Sequence, residues 1–197
     1  MGMFHKKPKE VSLPTIKQVE AERKRYRRKK AYNKALRGTI YVLTIVAAVA
    51  VLIATLILPV LQIEGSSMEP TLSNGDVVLL TNTTRFKRGD LCGFAWNNKL
   101  LIKRVVGLPG DMIEIDADGT IFLNGDQLEE PYVEHKALGE CDLEFPYQVP
   151  QGQYFVIGDM RENSIDSRNT AIGCIPKDQV VGKVFFRVWP FKNITFF

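Results

Sequence analysis

Histidine is almost missing from this chain of 197 residues: His5 and His135 are the only two, and no H-E-x-x-H occurs. A histidine-built metal site therefore finds no ligand set, and a nucleophile finds almost no imidazole to act as its base. Cysteine is scarce too. Cys92, Cys141 and Cys174 make no C-x-x-C pair, and an odd number leaves at least one thiol unpaired within a monomer. The α/β-hydrolase elbow G-x-S-x-G is absent, because Glu69 stands where the second glycine would fall. No internal repeat is evident, and the length excludes two large domains.

Charge is missing from one long stretch, and the rest of the chain is arranged around that gap. Thr39 to Ile63 reads TIYVLTIVAAVAVLIATLILPVLQI, without a charged residue and long enough to cross the roughly 30 Å hydrocarbon layer as a helix. A buried helix of a soluble core is seldom apolar on every face. A cleavable secretory signal is shorter and closes on small residues, which this run does not. Pro59 stands near the far end, where it ends or kinks the helix. The reading is an uncleaved anchor over 39–62.

The two sides of the anchor carry opposite charge. Residues 1–37 hold 13 Lys and Arg against three Glu, a net of +10; the remainder holds 13 against 19 acidic residues, a net of −6. A basic run can be a nucleic-acid arm. Placed directly before an apolar span, it is more simply explained by attraction to anionic lipid headgroups, so no nucleic-acid partner is expected. Basic residues stay on the cytoplasmic side, which puts 1–38 in the cytoplasm and the remainder outside, a single-pass arrangement in the cell membrane. Thr15-Ile16-Lys17-Gln18 fits a capping box, predicting a helix that runs toward Arg37; Pro8 and Pro14 break the part before it.

Beyond the anchor, short strand patterns recur between Gly, Asp, Asn and Pro, among them Val77–Leu80, Leu91–Trp96, Leu100–Val106, Tyr154–Ile157 and Val180–Val188. The expectation is a mainly β, antiparallel domain over 63–110 and 151–197, with a small acidic inserted lobe over 111–150. Asn97-Asn98 suggests a hairpin turn with Lys103 on the second arm. The aromatic C-terminus, Trp189 to Phe197, suits either the core or a bilayer surface. Cys141 with Cys174 is a conceivable disulfide in an extracytoplasmic domain, although the spacing does not demand it.

Three stretches carry chemistry. Gly65-Ser66-Ser67-Met68-Glu69-Pro70-Thr71 follows the anchor, and a serine in such a turn usually does no more than bond the backbone. A nucleophilic serine needs a base. Of the seven lysines after the anchor, Lys103 is the one embedded in an apolar strand, Leu101-Ile102-Lys103-Arg104-Val105-Val106. Period two puts Leu101, Lys103 and Val105 on one face. Burial disfavours an ammonium, so such an amine becomes neutral at lower pH than usual and can accept a proton; otherwise it snorkels to a sheet edge. The third stretch is Gly158-Asp159-Met160-Arg161-Glu162-Asn163-Ser164-Ile165-Asp166-Ser167-Arg168, by itself an ordinary polar loop with ion pairs.

Together, from about residue 39 to 190, these stretches resemble the bacterial type I signal peptidases, serine-lysine dyad enzymes, in their Gram-positive-like form. The resemblance implies a membrane-bound serine endopeptidase that removes signal peptides from exported preproteins, with no cofactor and no metal. It implies Ser67 as nucleophile and Lys103 as general base, Ser164 hydrogen-bonded to Lys103, and Asp166 and Arg168 as supports. Met160 and Glu162 depart from the family's Asn and Asp. The Ser67 N–H is the implied oxyanion donor; Gly65 stands where some relatives carry a hydroxyl, so a second donor is unassigned. Ile63, Met68, Leu72, Leu101 and Ile102 match positions lining the family's shallow pockets for small side chains, although each packs a core equally well. Two neighbouring enzymes fit less well: a self-cleaving repressor-type protease has no anchor, and the endoplasmic-reticulum peptidase uses histidine where Lys103 stands. A non-catalytic β module that binds exported proteins is the reading from another class.

Overall fold

The structure is a computed structural model that describes residues 15–57 and 59–197, without the side chains of 53–57. His5, Pro8, Pro14 and the start of the basic segment lie outside the described residues. By contacts the chain divides into two units, Met1–Ile53 and Ala54–Phe197.

The basic and apolar segments form one unbroken helix, α1 (Ile16–Ile57), of 42 residues, most of it in the first unit. At about 1.5 Å per residue it is about 63 Å long, twice the thickness of a hydrocarbon layer. It is the one helix among the described residues that is long and apolar enough to cross a membrane. Its start is the expected box: Gln18 Oε1 accepts from the Thr15 N–H at 2.9 Å and from the Thr15 hydroxyl at 2.8 Å. Gly38, between the two halves, does not interrupt it.

The apolar run outlasts the helix, so the expected anchor boundary at 62 is too late. Pro59 has no N–H to continue the helical ladder, and Val60–Gln62 become strand β1 instead. β1 pairs antiparallel with β2 (Val77–Thr81), Val60 opposite Leu79 and Gln62 opposite Val77.

The second unit holds two antiparallel sheets. Besides β1 and β2, the larger takes in β3 (Leu91–Trp96) and β4 (Lys99–Gly107). The smaller comprises β5 (Met112–Ile115), β6 (Ile121–Leu123), β7 (Asp126–Gln127) and β8 (Tyr147–Gln148), in the order β7-β6-β5-β8. The chain then returns to the larger sheet with β9 (Gln153–Ile157), β10 (Ile175–Pro176), β11 (Val180–Trp189) and β12 (Thr195–Phe196). That sheet runs β1-β2-β11-β3-β4-β9-β10, with β12 added to β11. The mainly β expectation holds.

The β3–β4 hairpin forms as the Asn-Asn pair predicts, both residues at positive φ, 46° and 59°. It sets the register Leu91 opposite Arg104 and Cys92 opposite Lys103. Gly182 of β11 is a glycine of necessity, because a Cβ there would run into the carbonyl of Thr81. The core packs around Val78, Leu80, Leu91 and Val184 on one side of the larger sheet and around Phe94, Val105, Val156 and Ile175 on another. All three cysteines are free, so Cys141 and Cys174 are not joined. Cys92 is fully buried, which pushes its thiol up to about 12. The C-terminal aromatics are not core: Trp189, Phe191 and Phe196 are exposed, with Trp189 edge-on to the Phe191 ring and Phe196 against Phe186.

Candidate active site

The turn carrying Ser67 is anchored at both ends. At its base the Ile63 N–H donates to the Asp76 carbonyl and the Gly75 N–H to the Ile63 carbonyl, at 2.8 and 2.9 Å. The Gly65 N–H donates to Asn74 Oδ1, and Gly65 takes a φ of +93°, which a side chain would oppose. Met68 and Leu72 sink into the core as apolar anchors. Ser67, immediately before Met68, is half-buried, and its carbonyl accepts the Met160 N–H at 3.1 Å. The Ser67 N–H itself has no hydrogen-bond partner among the described residues.

Lys103 comes to this serine from β4. Leu101 and Val105, its neighbours on the same face, pack in one apolar cluster, while Ile102 and Val106 belong to others. Lys103 is 3% exposed, and its amine donates to Ser67 Oγ at 2.5 Å. Burial lowers the Lys103 pKa from 10.5 to about 8; Arg168 pushes the same way, and Asp166 and Asp159 partly oppose it. An amine that is half neutral near pH 8 can take the hydroxyl proton through this same contact.

The loop 158–168 closes the arrangement. Gly158 has no room for a Cβ, which would meet both the Ser164 side chain and the Ser67 carbonyl, so Ser164 lies against the Ser67 turn. Its hydroxyl does not bond Lys103, contrary to the expectation. It donates to Asp166 Oδ2 at 2.6 Å, since a fully buried carboxylate has to be satisfied by protein donors. Asp166 also accepts the Gly158 N–H at 2.9 Å and a two-pronged contact from Arg168 at 2.8 and 2.9 Å. Arg168 in turn donates to the carbonyls of Leu138, Arg161 and Ser164.

Two buried pairs were not singled out from the sequence. Arg104, beside Lys103 but on the opposite face of β4, holds Asp159 through Nε at 2.8 Å and Nη2 at 2.5 Å, and Thr71 donates to the same carboxylate at 2.5 Å. One carboxylate thus ties the Ser67 turn, the Lys103 strand and the 158–168 loop together. Arg161 pairs with Glu130, and Tyr132 lies under Arg104 with its ring centre 3.9 Å from the guanidinium carbon. The available signal was Arg104 itself, since a guanidinium inside an apolar strand requires a carboxylate. Asp159→Asn leaves Arg104 buried without its counter-charge. The expected loss is about 3–5 kcal/mol of stability in denaturant unfolding.

A cavity of about 430 Å³ opens beside the serine and lysine. Ile63, Met68, Leu101 and Ile102 line it. Leu72 does not; it is fully buried beneath the turn, where its role is packing. No group of His, Cys, Asp or Glu able to hold a metal ion occurs among the described residues.

A serine hydroxyl bonded by a buried amine is a pair that acyl transfer can use without imidazole, and comparison with known proteins shows a family of peptidases. The chain belongs to the signal peptidase, peptidase S26 family, whose model matches residues 36–189. It is 38% identical over 163 residues to signal peptidase I of Bacillus licheniformis, covering 76% of this chain and 87% of that protein. To signal peptidase IB of Staphylococcus aureus (strain MRSA252) it is 38% identical over 154 residues, covering 68% and 79%. A crystal structure of a signal peptidase I from Enterococcus faecalis V583 is 30% identical, with a TM-score of 0.43, covering 50% of this chain and 96% of that one.

Proposed function

We propose that this protein is a membrane-anchored serine endopeptidase that cleaves N-terminal signal peptides from exported preproteins, with Ser67 as nucleophile and Lys103 as general base. The observation that carries the reading is the 2.5 Å contact between a serine hydroxyl and a buried amine whose pKa falls to about 8. Neutral Lys103 takes the hydroxyl proton as Oγ attacks the carbonyl carbon before the cut. The unpartnered Ser67 N–H is available to the oxyanion that forms. The ammonium then returns its proton to the leaving amine. The amine, neutral again, draws a proton from the water that hydrolyses the acyl-enzyme.

Residues 1–38 are assigned to the cytoplasm, the apolar part of α1 to the bilayer and the β unit to the outside, by the bias of basic residues before the apolar span. Residues 63–110 and 151–197 form the catalytic part, and 111–150 the inserted lobe. Ile63, Met68, Leu101 and Ile102 receive the small side chains before the cut, while main-chain bonding along a strand edge holds the extended peptide without demanding a sequence. Asp166 and Arg168 are positioning residues.

Incubating the detergent-solubilised protein with a preprotein and sequencing the new N-terminus tests this directly. One cut at the end of the signal peptide is expected; binding without cleavage would leave the non-catalytic reading. Ser164→Ala removes one donor from Asp166 and loosens the wall behind Ser67. Turnover is expected to fall by about ten- to a hundredfold, with the domain still folded by circular dichroism. A wild-type rate removes Ser164 from the site.

A further inference from the structure

A second cavity, of about 370 Å³, is lined in part by residues that closely follow the serine in the chain. Ser67 and Met68 line the first, and the next two residues of the turn, Glu69 and Pro70, line the second. Met160, whose N–H is bonded to the Ser67 carbonyl, forms another part of its wall, and Glu134 and His135 reach it from the acidic lobe. Successive Cα atoms are about 3.8 Å apart, so this cavity starts within about 11 Å of the serine, the span of three extended residues.

An endopeptidase's substrate is one continuous chain, and the residues after the cut need a path as much as those before it. We infer that this second cavity receives the second to fourth residues after the cut, and that it selects against acidic side chains there. The inference rests on the Ser67 reading. The selectivity follows from which lining charges are already answered. Asp159 is neutralised by Arg104 and Arg161 by Glu130. Glu69, Glu134 and Glu162 have no ion pair among the described residues, and Glu134 and Glu162 are exposed. A polypeptide entering here meets three uncompensated carboxylates, which repel Asp and Glu and favour Lys, Arg or neutral residues.

The test uses the full chain and three peptides identical through the cut, carrying two Lys, two Gln or two Glu at the second and third positions after it. The order of kcat/KM is Lys above Gln above Glu. The Lys-to-Glu ratio is about tenfold at low salt, as expected of several partly exposed charge contacts, and shrinks near 1 M salt. In the E134Q/E162Q double variant the ratio falls toward about twofold. A wild type that cuts all three equally, or a double variant that keeps the full ratio, overturns this inference and leaves the Ser67 reading standing. Failure to cut any of them overturns the Ser67 reading and this inference with it.

Discussion

Ser67→Ala leaves the domain folded and unable to cut a preprotein, with kcat/KM reduced by a factor on the order of 10⁴ or more. The side chain is half-buried and, among the described residues, bonds only Lys103, so its loss costs the fold little. Lys103→Ala is expected to cost about as much activity, and the double variant no more than either single one, since a nucleophile and its base act as a unit. A residual rate in Ser67→Ala within tenfold of wild type, read by mass spectrometry of the product, would move the nucleophile elsewhere.

The second large effect is on pH. Below about 8 the fraction of neutral Lys103 falls tenfold per unit, so kcat/KM rises with unit slope through neutral pH and levels off above about 8. Stability changes over a different window. The folded state holds the lysine proton less tightly than the unfolded chain, so the destabilisation is complete below about 8 and fades as pH rises to 10.5. Its full size is about 3 kcal/mol, at 1.36 kcal/mol per unit. Lys103→Met abolishes activity and is expected to flatten the rise in stability between those pH values, measured by denaturant unfolding.

Much of this was legible because it is local. The charge-free run implied a helix, Asn97-Asn98 implied a two-residue turn, and period two along β4 put Lys103 among aliphatic neighbours. What stayed hidden depends on distant partners. β1 emerges from the tail of the apolar run because β2, fifteen residues on, offers it an open edge. Ser164 gives its proton to Asp166 instead of Lys103, because a carboxylate two residues on is the nearer and stronger acceptor. The pairing of Arg104 with Asp159 crosses 55 residues, and nothing near Arg104 announces it. Leu72 reads equally well as pocket or core; only the turn's direction decides for core.

The central claim is that one amine loses its proton at a pH where lysines keep theirs, while touching a hydroxyl. Following the side-chain resonances of labelled Lys103 by NMR across a pH titration of the wild-type protein tests it most directly. A midpoint near 8 is predicted. A midpoint near the ordinary 10.5, with cleavage still proceeding at neutral pH, would contradict it.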